Sequence, residues 1–190
     1  FAYDTLTKVY PPLRGQHDVD ALVQGLAEGV IDCIATDHAP HELISKLVTY
    51  QDAPSGISVL ETALGSALQL VHGGHMTLSA LVERMSVGPA RVLGSSFDHI
   101  STLAPGTTAD IVIFNPDEEW VVNPNDFQSM GKNTPLQGAT LKGRVSATMV
   151  QGRFDFANQA FAGGLHFPVG PDMTITAANI TQDKETGIGA

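Results

Sequence analysis

A helix is predicted over residues 18–28, where apolar side chains recur at intervals of three and four positions. These apolar residues are Val19, Leu22, Val23, Leu26 and Val30. Asp18 is the expected N-cap, because its carboxylate can accept hydrogen bonds from the free N–H groups of the first turn. Gly29 is placed to end the helix. The pattern is that of an amphipathic helix.

A short buried strand is predicted directly after this helix, over residues 30–35. The sequence there is a continuous apolar run in which Asp32 is the only charge. A polar cluster begins where the strand stops. Helix, tight turn, buried strand and polar loop together form the repeating unit of a parallel α/β fold, so the expected fold class is α/β.

Further helices are predicted in the next part of the chain. A long apolar helix is expected over residues 57–71, and the sequence HGGH at residues 72–75 should end it. Thr77 is the expected N-cap of the following helix. Pro89 should open a short last helix that ends at Gly94.

The pattern changes from helices to strands after about residue 100. The sequence LAPGTTADIVIFNP is a Pro-Gly turn followed by a β-rich run. LKGRVSATMVQGRF alternates in the manner of a strand and ends in a turn at Gln151-Gly152. The tail over residues 155–190 has no clear period, and no structure is predicted for it.

Composition and charge exclude several classes of protein. The 190 residues have a net charge of -10 and are 43% hydrophobic, which argues for a sizeable core and against nucleic acid or an anionic membrane as the main partner. No apolar run reaches the roughly 18 residues that a membrane span needs. The single cysteine, Cys33, excludes an internal disulfide and is expected to be buried. A cytoplasmic protein is expected.

The sequence ATDHAPH at residues 35–41 is the main candidate for chemistry, because it places one carboxylate and two imidazoles after the predicted strand. Loops at strand ends line the active sites of parallel barrels, so Asp37 could bind a metal or move a proton. Pro40 stiffens the turn before His41, and His38 is expected to support the loop. The alternative is a solvated polar loop. A complete metal site within this loop is not expected, because zinc takes three or four protein ligands.

Two other polar features are less specific. His72 and His75 have the spacing of a zinc-binding pair, but the two glycines between them favour a surface turn. Arg14 follows a Pro-Pro turn, where it could bind an anion or simply lie in solvent.

Four segments together resemble the C-terminal part of the bacterial dihydroorotases, which belong to the amidohydrolase superfamily. In chain order they are PPLRGQHDVDALVQGLAEGVIDCIATDHAPH, APSGISVLETAL, LAPGTTADIVIFNP and KNTPLQGATLKGRVSATMVQGR. The resemblance covers about residues 4–154. Its most specific part is TDHAPH combined with GxxxLETAL, whereas ADIVIF by itself is shared across the superfamily.

The resemblance implies both a fold and a reaction. Residues 1–99 would be the C-terminal part of a (β/α)8 TIM-type barrel, residues 100–154 would supply strands of a small β-sandwich, and residues 155–190 would be an irregular tail. The reaction would be the zinc-dependent, reversible cyclisation of N-carbamoyl-L-aspartate to L-dihydroorotate in pyrimidine biosynthesis. The complete enzyme would bind two zinc ions.

The resemblance also implies roles for individual residues. Asp37 would be a zinc ligand and the catalytic group that transfers the proton, and His41 would bind the substrate carboxylate. Ser55 and Gly56 would contact the substrate ring through their backbone. Tyr10 stands where the family usually has a substrate-binding Asn, so recognition of the ring is expected to differ.

The family's other metal ligands, namely a His-x-His motif, a carboxylated lysine and two further histidines, would precede residue 1. The chain is therefore expected to be the C-terminal piece of a longer enzyme and to be inactive by itself. The alternatives are a catalytically inactive dihydroorotase-like subunit that supports a partner such as aspartate transcarbamoylase, and an amidohydrolase that acts on another cyclic ureide such as hydantoin. A homo-oligomer with a small-molecule substrate is expected.

Overall fold

The computed structural model describes residues 3–157, which form a helical first part and a strand-rich second part. The predicted change from helices to strands after about residue 100 is confirmed. Residues 158–190, which make up most of the predicted irregular tail, lie outside the described residues. No helix among the residues that are described has the length and apolar character needed to cross a membrane.

Five α-helices lie in the described part of the chain. They are α1 (Gln16–Glu28), α2 (Leu43–Lys46), α3 (Ala63–His72), α4 (Leu78–Val82) and α5 (Gly88–Leu93). A turn of π-helix, Glu83–Val87, joins α4 to α5, and short 3-10 turns occur at Thr5–Thr7, Leu60–Thr62, Ser95–Ile100 and Pro124–Asp126. Helix α3 begins later than the predicted start at Ile57 because a 3-10 turn precedes it.

Helix α1 begins two residues before its predicted start, and the prediction of Asp18 as N-cap is wrong. Gly15 is the N-cap and makes no side-chain hydrogen bond. Asp18 lies in the first turn instead. Its negative charge there interacts favourably with the positive end of the helix dipole. Gly29 ends the helix in the left-handed conformation, as predicted. No residue of α1 is buried, and Leu22 on its apolar face is 56% exposed.

The predicted buried strand over residues 30–35 is absent from the described structure. The segment is irregular, and Val30 is 74% exposed. A parallel strand forms only when a neighbouring strand completes its hydrogen-bond ladder, and no strand among residues 3–157 pairs with this segment. Ile34 instead donates a backbone hydrogen bond to the carbonyl of Arg84 (2.9 Å). Cys33 is partly rather than fully buried, because this unpaired segment leaves it at the surface.

The ends of the later helices follow the predicted signals. Helix α3 ends at His72, directly before the two glycines. Thr77 caps α4, since its hydroxyl accepts a hydrogen bond from the backbone N–H of Ala80 (3.1 Å). Pro89 lies in the first turn of α5, and Gly94 with φ 97° follows its last residue. These signals act within one helical turn, which explains why the sequence suffices to place them.

A three-stranded antiparallel sheet forms the second part of the molecule. Its strands are β1 (Ile111–Val121), β2 (Thr140–Val150) and β3 (Arg153–Ala157), in the order β1-β2-β3. The predicted turn at Gln151-Gly152 joins β2 to β3. Residues 122–139, here called the connecting segment, run from β1 to β2 and return toward the helical part.

The core joins the helices to the sheet. Leu68 of α3, Leu81 of α4 and Phe114 of β1 form one buried cluster. Two further clusters consist of Ile111, Ile113 and Ala147 and of Val122, Phe127 and Leu141. A side chain at Gly143 of β2 would collide with Leu68, so glycine permits the close approach of β2 to α3. This packing fixes where the connecting segment meets the helical part.

Candidate functional site

Asp37 lies on an exposed loop in an unusual backbone conformation. Its φ of 48° is in the left-handed region, which few residues other than glycine adopt. Aspartate tolerates this region better than most residues because its side chain is short and polar. Strained conformations of this kind concentrate at functional sites, so the geometry is compatible with the role that the sequence suggests for Asp37.

His38, the next residue, holds the loop through its imidazole ring. Nδ1 accepts hydrogen bonds from the backbone N–H groups of Val59 (3.0 Å) and Leu60 (3.3 Å), so it carries no proton. The proton of the neutral ring is therefore on Nε2, which lies 3.3 Å from the Ser129 hydroxyl oxygen. His38 thus joins the loop to the turn before α3 and to the connecting segment.

His41 and the pair Ser55-Gly56 are brought together by the fold. The imidazole Nε2 of His41 lies 3.0 Å from the carbonyl oxygen of Ser55. A carbonyl oxygen can only accept, so Nε2 is the donor and carries a proton. The resemblance implies that these residues contact the substrate. The structure places His41 and Ser55 side by side although 14 positions separate them in the chain.

Gly56 lies against the loop of residues 35–41, which contains Ala39 and His41. It is buried and has φ 138°, a conformation that side chains rarely adopt. A Cβ atom there would lie 2.6 Å from Cβ of Ala39 and 2.9 Å from Nε2 of His41. Only glycine fits this position.

Lys46 is buried to 2% exposure beneath the same loop. Its ammonium group donates to three backbone carbonyls, those of Thr5 (3.2 Å), Pro54 (2.6 Å) and Gly56 (2.9 Å). Two of these carbonyls flank Ser55. Lys46 therefore ties the loop that contains Ser55 and Gly56 to the N-terminal segment.

Burial lowers the pKa of Lys46 from its ordinary value, because the interior disfavours the charged ammonium form. The nearby charge of Lys8 lowers that pKa further, whereas Asp4 acts in the opposite direction. Sequence reasoning did not identify Lys46, since a lysine in a short polar segment is ordinarily exposed and no local pattern marks this one as buried.

Asn133 of the connecting segment is fully buried and contacts both loops. Its Oδ1 accepts a hydrogen bond from the backbone N–H of His41 (2.7 Å). Its Nδ2 donates to the carbonyl oxygens of Gly56 (3.0 Å) and Ala39 (3.2 Å). The Asn133 backbone carbonyl accepts from the N–H of Ser58 (3.0 Å). The sequence offered only the resemblance of the segment KNTPLQG as a signal for this residue.

Glu61, which is half-buried, is a second link between the helical part and the connecting segment. Its Oε1 accepts a hydrogen bond from the backbone N–H of Ser129 (2.8 Å), while its Oε2 is buried without a partner. Burial by itself would raise the pKa of Glu61, but the hydrogen bonds from Ser129 outweigh it and lower the pKa below its ordinary value. Ser129 thereby contacts both Glu61 and His38.

The structure does not bring every candidate residue together. Tyr10 is 81% exposed and is joined to Pro11 by a cis peptide bond. Within residues 3–157, no hydrogen bond or ion pair links Asp37 or Tyr10 to His41. The cluster that the fold assembles is therefore His41 with Ser55 and Gly56, held by Lys46 and Asn133.

No metal site is complete in the described part of the chain. Residues 3–157 contain no group of three or more His, Cys, Asp or Glu side chains that could hold a metal ion. Zinc takes three or four protein ligands, and Asp37 by itself can supply one. The described residues therefore do not fit a zinc ion on their own. His72 and His75 are both exposed, which confirms the predicted surface turn.

Comparisons with known proteins give a consistent result. The model of the amidohydrolase family matches residues 11–154. The dihydroorotase of Syntrophus aciditrophicus is 52% identical over 151 residues, which are 80% of this chain and 35% of that protein. The dihydroorotase of Caldanaerobacter subterraneus is 51% identical over 157 residues, 82% of this chain and 36% of that protein. These similarities confirm the resemblance to dihydroorotases, and the chain spans about a third of the length of these relatives.

A solved structure shares the fold. The L-hydantoinase (dihydropyrimidinase) from Arthrobacter aurescens superposes with a TM-score of 0.75 at 31% sequence identity. The superposition covers 82% of this chain and 35% of that protein.

Proposed function

Because this chain belongs to the amidohydrolase family, we propose that the natural polypeptide containing it is a dihydroorotase, which interconverts N-carbamoyl-L-aspartate and L-dihydroorotate in pyrimidine biosynthesis. The observation that carries the proposal is the contact between His41 and Ser55, 3.0 Å between Nε2 and the carbonyl oxygen. It joins the proposed carboxylate-binding histidine to the loop proposed to contact the substrate ring.

The proposed architecture is the C-terminal part of a (β/α)8 barrel over residues 1–99, strands of a β-sandwich over residues 100–154, and an irregular tail over residues 155–190. The unpaired segment at residues 30–35 supports the barrel, because its backbone lacks the neighbouring strand that a barrel would provide. The exposed apolar face of α1, which includes Leu22, supports it as well, since further parts of a barrel would cover that face.

Asp37 is the proposed catalytic residue. In the hydrolytic direction, its carboxylate takes a proton from the attacking water and passes it to the ring nitrogen while the carbon–nitrogen bond breaks. The reverse sequence closes the ring. An exposed carboxylate on a strained loop is accessible to a substrate, which supports this assignment.

His41 is the proposed binder of the substrate carboxylate. Since Nε2 donates to the Ser55 carbonyl, a second donor for an anion is available at Nδ1 only when the ring is protonated on both nitrogens. In this proposal the substrate carboxylate accepts a hydrogen bond from an N–H of the His41 ring, either this second donor or the Nε2–H released from Ser55. The backbone of Ser55 and Gly56 is proposed to contact the ring, and Tyr10 is proposed to alter recognition at the position usually held by Asn.

Asp37 is also proposed to be a zinc ligand. The complete enzyme is proposed to hold two zinc ions. In this proposal the remaining ligands come from outside residues 3–157, which contain no group of side chains that could hold a metal ion by themselves. A homo-oligomer, an association with aspartate transcarbamoylase and a cytoplasmic location remain proposals that follow from the resemblance.

The decisive variant is Asp37→Asn in the complete natural polypeptide that contains this chain. Removing the proton carrier should lower the turnover of L-dihydroorotate by about 100-fold to 10,000-fold. The melting temperature should not change, because Asp37 is exposed. Steady-state kinetics and thermal unfolding monitored by circular dichroism measure the two quantities.

Asp20→Asn, at an exposed position of α1, is the matched control and should keep wild-type turnover. Wild-type turnover in Asp37→Asn would contradict the proposed role. A wild-type protein that hydrolyses hydantoin faster than dihydroorotate would instead support the cyclic-ureide alternative, which the likeness to L-hydantoinase favours. Absence of both zinc and activity would support the inactive subunit.

A further inference from the structure

We propose that Asn133 is a positioning residue that sets the distance between His41 and the Ser55-Gly56 loop. The inference rests on the proposed function, because it assigns a role to a residue behind the same site. Asn133 is fully buried, and its side chain reaches residues that lie 77 to 94 positions away in the chain. It belongs to neither of the two loops that it joins.

The chemistry of the contacts requires a carboxamide at position 133. The backbone N–H of His41 needs an acceptor, and the carbonyls of Ala39 and Gly56 need donors. A carboxamide offers both on one planar group, with one acceptor oxygen and two N–H donors. Aspartate has the same shape but cannot donate when ionised. A buried polar group that loses its partner is costly, so these three bonds hold the loops firmly.

The connecting segment also packs closely against the loop that contains Pro40 and His41. A Cβ atom at Gly131 would lie 2.6 Å from the backbone nitrogen of His41 and 2.6 Å from Cβ of Pro40. The segment is anchored on its other side by the buried residues Val122 and Phe127, which pack with Leu141 of β2. The sheet therefore holds Asn133 in place, and Asn133 holds the two loops.

This arrangement predicts an effect on substrate binding more than on proton transfer. The carbonyl of Gly56 is one of the two groups that accept a hydrogen bond from the amide of Asn133, and a Cβ atom at Gly56 would lie 2.9 Å from Nε2 of His41. Losing that bond frees the Ser55-Gly56 loop to shift relative to His41. Asp37, which makes no hydrogen bond with Asn133 in the described structure, should be less affected.

The test is Asn133→Asp in the complete natural polypeptide. KM for L-dihydroorotate should rise about tenfold or more, because a displacement of positioned groups by about 1 Å can cost about 100-fold. The value of kcat should change by less than about threefold. Asn123→Asp is the matched control. Among residues 3–157, the Asn123 side chain makes hydrogen bonds only with residues 125 and 126, so the KM of this variant should stay at the wild-type value.

Amide hydrogen exchange gives a second readout that does not depend on activity. In the wild-type protein the His41 amide should be protected like the buried strand residue Ala147, because its acceptor Oδ1 of Asn133 is fully buried. In Asn133→Ala the His41 amide should exchange at least about tenfold faster, while Ala147 should not change.

Each result bears on the inference. Fast exchange of the His41 amide in the wild-type protein would overturn it, and this measurement needs no variant to fold. An unchanged KM in a folded Asn133→Asp protein would overturn it too. So would a fall in kcat by the same factor as the rise in KM. If the wild-type protein does not act on dihydroorotate, the proposed function fails, whereas protection of the His41 amide would still support the positioning role of Asn133.

Discussion

At the scale of single residues, the carbonyl oxygen of Gly56 receives two hydrogen bonds from buried side chains. Lys46 donates one (2.9 Å) and Asn133 donates the other (3.0 Å). One donor comes from the N-terminal side of the loop and one from the connecting segment. Gly56 is therefore fixed from both sides, and its lack of a side chain lets the His41 ring approach it.

Gly56→Ala should displace the His41 ring and strain the backbone. The new Cβ would lie 2.9 Å from Nε2 of His41, and the positive φ costs about 1–3 kcal/mol for a residue with a side chain. We expect a lower free energy of unfolding and a higher KM for dihydroorotate. Urea unfolding and steady-state kinetics check the two effects.

Gly106→Ala is the control that separates backbone strain from a steric clash of the new Cβ atom. Gly106 also has a positive φ, 92°, but no atom lies within 4 Å of its Cβ position. This variant should lose stability through the backbone alone and should keep the wild-type KM. A KM as high as that of Gly56→Ala would contradict the steric explanation.

At the scale of elements, local signals account for most helix ends. Thr77 provides an N-cap hydrogen bond and Gly29 and Gly94 provide positive φ values, so each boundary is determined by one or two side chains. The segment at residues 30–35 is different. Its apolar run is compatible with a strand, but a strand exists only where a partner completes the ladder, and the described residues provide none.

Thr77→Ala should destabilise helix α4 by about 1 kcal/mol, because the N–H of Ala80 loses its acceptor. The change should be read from urea unfolding of the complete natural polypeptide. Thr77→Ser keeps the hydroxyl and should recover most of the lost stability. Equal losses in the two variants would show that the cap is not responsible.

At the scale of the whole molecule, the helical part and the connecting segment are joined by buried polar contacts as well as by the apolar core. Glu61 lies directly before α3, and Ser129 lies between β1 and β2. Their hydrogen bond spans 68 positions of the chain. Because this hydrogen bond favours the ionised carboxylate, its contribution to the free energy of unfolding depends on pH.

Acidification should weaken the hydrogen bond between Glu61 and Ser129. The pKa of Glu61 is lowered in the folded protein, so its stabilising contribution is present above the ordinary glutamate pKa and is lost as the pH falls through the lowered value. The free energy of unfolding of the wild-type protein should therefore fall relative to Glu61→Gln between about pH 5 and pH 3. Glu42→Gln, at an exposed position, should follow the wild-type protein over the same range. Parallel curves for wild type and Glu61→Gln would contradict this prediction.

Features that depend on residues close together in the chain could be predicted from the amino-acid sequence. Periodicity and end signals located helices α1, α3, α4 and α5, the turn at Gln151-Gly152 and the change to strands, and the motif TDHAPH pointed to Asp37 and His41. They did not predict the short helix α2. The sequence also supported the resemblance that the comparisons confirm. It did not give the N-cap of α1, because Gly15 and Asp18 both suit a first turn.

Only the tertiary structure decided which residues hold the candidate site. Lys46 and Asn133 are buried and Glu61 is half-buried, although local patterns assign all three to the surface. Each hydrogen-bonds to backbone groups that include one at least 41 positions away in the chain. The hydrogen bond between His41 and Asn133 joins residues 92 positions apart, and no short-range signal can encode it. Burial leaves such groups without water, so the fold must supply their hydrogen-bond partners, and those partners come together only when the chain has folded.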